Sequence, residues 1–151
     1  MKLGRRDAMY MLATIALVMP LGVFADEMIH VRLTDKSIQL DTDTAKPGRV
    51  TFEVKNVADS NTEHEFVVLK TDTDKAGLPV RNGQVTESRF KKMGEVEDLA
   101  KGSTKRLSLK LSPGRYVLIC NRPGHYAMGM HKALVVAPRV ESARRERASS
   151  T

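Results

Sequence analysis

Apolar and polar residues alternate one for one along three stretches of this chain. Val50, Phe52 and Val54 interleave with Thr51, Glu53 and Lys55; Leu107, Leu109 and Leu111 interleave with Ser108 and Lys110; Ile29, Val31 and Leu33 repeat the pattern nearer the start. A period of two sends all the apolar side chains to one side of an extended backbone, so each stretch reads as a strand with one buried face and one wet face. The denser apolar runs at residues 65–70, 116–120 and 133–136 suit central strands covered on both faces. Pro47-Gly48, Asn82-Gly83, Pro113-Gly114 and Pro123-Gly124 punctuate them as turns. The expected fold is all-β, an antiparallel sandwich of two packed sheets.

Residues 71–102 break this rhythm, being polar and charged without sustained alternation. A helical turn is expected around residues 88–93, followed by a loop through 94–102. A structureless stretch of that length is unusual in a compact domain, so this long irregular insertion is expected to pack across one sheet.

The two ends read differently from the middle. Lys2, Arg5 and Arg6 precede an apolar stretch over residues 8–25, which ends on Ala25 and turns polar at Asp26-Glu27. That is the layout of a signal peptide over residues 1–25, and the stretch is at the short end of what spans a bilayer. Arg5-Arg6 leaves both the general and the twin-arginine export routes open. Losing Lys2, Arg5, Arg6 and Asp7 takes the formal charge from +7 to +5. Residues 138–151 form a basic tail, where Arg139, Arg144, Arg145 and Arg147 outweigh Glu141 and Glu146, with too little apolar surface to order itself. The domain between, residues 26–137, is only mildly basic. Its Lys and Arg alternate with Asp and Glu and form no concentrated stripe, which argues against nucleic-acid binding.

The chain has one cysteine, so an exported form has no internal disulfide. Cys120 opens the segment Cys120-Asn121-Arg122-Pro123-Gly124-His125-Tyr126-Ala127-Met128-Gly129-Met130, lying between two strand-like runs. A connection that folds back over the end of the sandwich would gather the thiol, the His125 imidazole and a thioether. Two imidazoles and a thiolate with a weak axial thioether make a soft trigonal site that selects copper and suits one-electron exchange. The second imidazole is assigned to His64, which opens the apolar run 64–69 and would sit at a strand end facing the Cys120 segment. Met130 is preferred to Met128 as the thioether. His30 and His131 read as ordinary surface or strand residues, and Met28-Ile29-His30 as at most a loose copper site.

His64 at a strand start, followed by Cys120, His125 and Met130, resembles the ligand pattern of the cupredoxins. The gap lengths are similar to the rusticyanin and auracyanin branch, and His64-Glu65-Phe66-Val67-Val68 and Pro123-Gly124-His125-Tyr126 resemble bacterial periplasmic copper-binding cupredoxins. The resemblance covers about residues 28–136. It implies a Greek-key β-sandwich holding one type 1 copper ion, with His64, Cys120 and His125 as strong ligands and Met130 as the axial one. In many such proteins an Asn or Ser follows the first histidine and ties the two ligand loops together; here that residue is Glu65.

The expected function is a periplasmic one-electron carrier cycling between Cu(I) and Cu(II), since four protein ligands leave no open position for a substrate. The alternative is a copper-handling protein that buffers the ion or delivers it to a copper enzyme. An enzyme is not expected: copper oxidases and nitrite reductases need additional histidine clusters, and the chain has four histidines of which two are committed. A dinuclear electron-transfer site needs two cysteines. The resemblance further implies a redox protein partner docking near His125, amid Pro123, Tyr126 and Met128 with Arg122 adding charge, or else a copper-accepting partner. No membrane association is expected after signal cleavage, and the protein is expected to be a monomer.

Deleting residues 139–151 is expected to leave the melting temperature within about 3 °C of the full chain. A larger fall in calorimetry would show that the tail packs.

Overall fold

The computed structural model describes residues 26–71 and 77–137. The expected signal peptide and tail lie outside the described residues. In chain order the elements are β1 (Glu27–Leu33), β2 (Ile38–Leu40), β3 (Thr44–Ala45), β4 (Gly48–Asn56), β5 (His64–Thr71), β6 (Val80–Arg81), β7 (Gln84–Val85), a 3₁₀ turn (Glu87–Arg89), β8 (Lys91–Leu99), β9 (Thr104–Leu111), β10 (Gly114–Ile119) and β11 (His131–Val136). One sheet runs β2-β1-β4-β9, the facing sheet runs β3-β11-β10-β5-β8, and β6 and β7 pair as a small hairpin.

The alternating stretches became one-sided strands. Ile29, Val31 and Leu33 of β1 and Val50, Phe52 and Val54 of β4 are fully or almost fully buried, while His30, Arg32 and Lys55 face outward. Their inner faces meet Phe66 and Val68 of β5, Tyr116 and Leu118 of β10, and Leu134 and Val136 of β11 in one core. Phe52 and Phe66 join the sheets with ring centroids 5.4 Å apart, a separation suited to a tilted aromatic pair. Two of the three dense runs, in β5 and β10, are covered on both faces, whereas β11 buries Leu134 and Val136 and leaves Ala133 exposed. Val67, Leu69, Val117 and Ile119 point to the far side of their sheet, where Leu78, Val85, Tyr126 and Phe90 cover them. The irregular insertion thus packs across one sheet.

Three details differ from the sequence expectation. The sandwich is mixed, since β1 runs parallel to β4 and β11 parallel to β3. Parallel neighbours cannot be joined by a tight hairpin, and the chain between β1 and β4 passes through β2 and then crosses to β3 in the other sheet. The helical turn shrinks to Glu87–Arg89. The expected loop at 94–102 is instead mostly strand, because β8 runs to Leu99 and pairs antiparallel with β5. As an edge strand with two register irregularities against β5, it buries only Val96 and Leu99, and a spacing of three erases the period-two signal.

The pairing registers carry the functional geometry. Ile119 lies opposite Val67 on one side and His131 on the other, so the start of β5, the end of β10 and the start of β11 meet at one end of the sandwich.

Replacing Phe52 by Ala is expected to cost about 3–5 kcal/mol in urea unfolding of the metal-free protein. A loss under about 1 kcal/mol would mean that the sheets do not depend on the Phe52–Phe66 contact.

Candidate metal centre

That shared end holds His64 at the first residue of β5, Cys120 just past β10, and His125 in the connection to β11. Their donor atoms face one another: His64 Nδ1 lies 3.3 Å from His125 Nδ1, and Cys120 Sγ lies 3.3 Å from His125 Nδ1 and 3.7 Å from His64 Nδ1. A trigonal site with metal–nitrogen bonds of about 2.0 Å and a metal–sulfur bond of about 2.3 Å has edges of about 3.5–3.7 Å, close to this triangle. Among the described residues, these three form the one group of His, Cys, Asp or Glu side chains close enough to share a metal ion.

Burial keeps the group uncharged. His64 and Cys120 are completely buried, and His125 is partly open. Desolvation, and then the neighbouring His125, hold the His64 pKa below its ordinary value; desolvation and then Arg122 do the same for His125. Both imidazoles therefore keep a lone pair available at neutral pH. Burial raises the Cys120 pKa, opposed by backbone N–H groups of Glu65 and Arg122 aimed at the sulfur. The Glu65 N–H donates to Sγ at 3.4 Å. His64 Nε2 is buried without a hydrogen-bond partner, so no hydrogen bond from the far side of the ring orients it.

The chain leading into His64 is held by Asn56, a fully buried side chain whose amide donates to the Thr62 and Leu99 carbonyls at 2.9 Å each and whose oxygen accepts the Ala58 N–H at 3.0 Å. Asp35 holds the same loop from the other side by accepting the Asp59 N–H at 2.9 Å and the Ser60 hydroxyl. These hydrogen bonds fix where β5 begins.

Of the two methionines, Met130 turns inward and is fully buried, whereas Met128 is 49% exposed. The Cys120 N–H donates to the Met130 carbonyl at 3.0 Å, and the Met130 N–H to the His125 carbonyl at 3.1 Å, which folds the segment back on itself. Gly129 makes the turn possible: its φ is +109°, and a Cβ there would lie 3.0 Å from the Lys36 carbonyl oxygen. Tyr126 does not join the exposed face around His125. It is 6% exposed, and its hydroxyl accepts the Leu78 N–H at 3.0 Å. Arg122 pairs with Glu63 at 3.0 Å and Asp98 at 2.9 Å. His30 sits on the outer sheet face 3.3 Å from Glu53, and His131 stacks on Tyr126 at 4.9 Å, so neither joins the cluster.

The family model for copper binding proteins, plastocyanin/azurin family, matches residues 23–137, which include both sheets and the whole cluster. The chain belongs to this plastocyanin/azurin family. No curated protein matches it in sequence. Solved structures share its fold: a reduced auracyanin from Roseiflexus castenholzii (23% identity, 74% of this chain and 97% of that one, TM-score 0.55), an azurin from Methylomonas sp. strain J (16%, 74% and 98%, 0.52) and a rusticyanin from Thiobacillus ferrooxidans (18%, 74% and 78%, 0.52). Auracyanin and rusticyanin are the branch whose gap lengths this sequence resembles.

For a plastocyanin/azurin family member, two imidazoles, one thiol and a buried thioether fit a single type 1 copper ion. Glu65 takes the place of the Asn or Ser expected after the first histidine, and it still ties the two loops. Burial raises its pKa, and the Asn121 backbone N–H facing its carboxylate opposes that. Asn121 and Asn56, which hold the loops, gave no sequence signal, since a lone Asn in a polar stretch reads as turn chemistry.

In the metal-free protein, NMR titration of His64 and His125 should give midpoints below the ordinary 6.5. Because a depressed histidine pKa means that the unfolded chain binds protons first, these two residues contribute stability above about pH 6.5 that is lost as pH falls toward their folded values. His64→Ala should flatten that part of the pH dependence of melting.

Proposed function

We propose that the chain is a one-electron carrier in the periplasm, with His64 Nδ1, Cys120 Sγ and His125 Nδ1 as the strong copper ligands and Met130 as the weak axial one. The observation that carries this reading is the donor triangle of 3.3–3.7 Å closed over by protein, with His64, Cys120 and Met130 each 0% exposed. When bound there, copper supplies a Cu(I)/Cu(II) couple. The chain's own part is to exclude substrate and to keep the donors in one arrangement, which favours electron exchange over bond chemistry and argues against an enzyme. His125 provides the way out. It is partly exposed and lines one open hollow with Glu63, Lys101, Arg122 and Pro123. A redox protein docking over that face would come within one side chain of the metal. Export rests on the signal-peptide layout of residues 1–25, and the protein is taken to act as a monomer.

Adding Cu(II) to the purified domain should titrate at one equivalent with an intense visible thiolate charge-transfer band, and Cys120→Ser should abolish it, since the chain has no other thiol. Copper should also raise the melting temperature, with His64→Ala losing most of the gain. Met130→Leu should keep colour and raise the reduction potential by removing a donor that favours Cu(II), whereas Met128→Leu should change neither. Rapid self-exchange of electrons supports the carrier. Slow exchange together with release of copper to a chelating partner would assign the protein to copper delivery instead.

A further inference from the structure

The hairpin of β6 and β7 buries little for its own sake: Val80 is 45% exposed, and Arg81 and Gln84 are also exposed. Asn82 and Gly83 form its two-residue turn with φ of +53° and +78°, the left-handed pair that matches the twist of a tight hairpin. Its polar groups are spent on the segment between Cys120 and Met130. The Gly83 carbonyl accepts the Gly124 N–H at 2.8 Å, and a Cβ on Gly83 would lie 3.1 Å from that same nitrogen. Gln84 Nε2 donates to the Asn121 carbonyl at 2.8 Å. Just before the hairpin, the Leu78 N–H reaches Tyr126.

Asn121 is where these contacts converge. Its side chain is 5% exposed and pairs with the Val85 backbone in both directions, accepting the N–H at 2.6 Å and donating to the carbonyl at 3.1 Å. The second amide hydrogen goes to Glu87 Oε1 at 2.7 Å. Its backbone carbonyl accepts from Gln84, and its backbone N–H faces the Glu65 carboxylate. The side chain and carbonyl of the residue next to Cys120 are thus committed to the insertion, with the N–H turned toward β5.

We infer that Asn121 is a positioning residue, through which the residue 78–87 segment clamps the Cys120–Met130 connection and sets where the Cys120 sulfur stands relative to the two imidazoles. The inference deepens the copper reading and rests on it only for its effect on the metal. A residue that merely packed a loop would lower stability when altered. Asn121, bonded directly to Cys120, holds the thiol itself, so its loss loosens the sulfur locally and changes the sulfur–metal geometry on which colour and potential depend.

The test compares wild type with Asn121→Ala, Asn121→Asp, the double variant Asn121→Asp/Glu87→Gln, and Gln84→Ala, a milder change at an exposed position that retains the fold if Asn121→Ala does not. In the metal-free protein the rate of thiol-reagent labelling reports opening around Cys120, the chain's one thiol. Asn121→Ala should speed labelling about tenfold or more, independently of low urea, and Gln84→Ala about threefold. Asn121→Asp sets a carboxylate against Glu87 and should behave like Asn121→Ala. Adding Glu87→Gln reverses the donor in that contact, though the Val85 carbonyl still loses its donor, and should return the rate part of the way to wild type. With Cu(II) bound, the band positions and reduction potential should shift in the single Asn121 variants and move part of the way back in the double one. Variants that melt lower yet keep wild-type labelling, spectrum and potential, or a double variant without rescue, would overturn the inference. A wild-type protein that stays colourless with Cu(II) would overturn the copper reading alone, and labelling would then decide the clamp.

Discussion

Three lone-pair donors must be held within 3.7 Å of one another, two of them sealed from water and the third only partly open. None of them can hold the other two in place, because neutral imidazoles and a thiol offer one another little attraction, and burial disfavours every charged form that would bind more strongly. The cluster therefore exists only because the surrounding structure forces it. Much of the fold can be understood as the source of that force.

Part of it comes from the sheet. The ladder β5-β10-β11 places His64, Cys120 and His131 at one edge of one sheet, and a register slip of a single residue would turn their side chains to the opposite face. The core of Phe52, Phe66, Tyr116 and their neighbours resists such a slip. The rest comes from loops whose polar groups are fully committed. Asn56 and Asp35 fix the entry to His64, and Asn121, Glu65 and Gln84 fix the exit from Cys120. Buried amides suit this work, since an amide with all its hydrogen bonds made has one orientation and loses free energy in any other.

Accessibility divides the site by role. His64, Cys120 and Met130 are sealed, and His125 alone of the four reaches toward solvent. One partly exposed ring is thus the way in from solvent, and the other three side chains are closed off. The turn at Gly129 sends Met130 inward and leaves Met128 exposed, so two residues of the same type serve opposite surfaces.

The sequence by itself determined the strands with alternating residues, the turns between them, and the spacing of Cys120, His125 and Met130, because periodicity and covalent spacing are local properties carried within a few residues. It also singled out His64, as the histidine that opens an apolar run. Only the tertiary structure decided that His64 meets Cys120 across 56 positions of chain, that β8 is a strand, that Tyr126 points inward, and that the irregular insertion grips the ligand segment through Asn121. Those outcomes depend on which distant segments lie side by side and in what register. An edge strand pairs through its backbone, and a buried Asn is defined by its partners, so neither leaves a pattern in its own stretch of sequence.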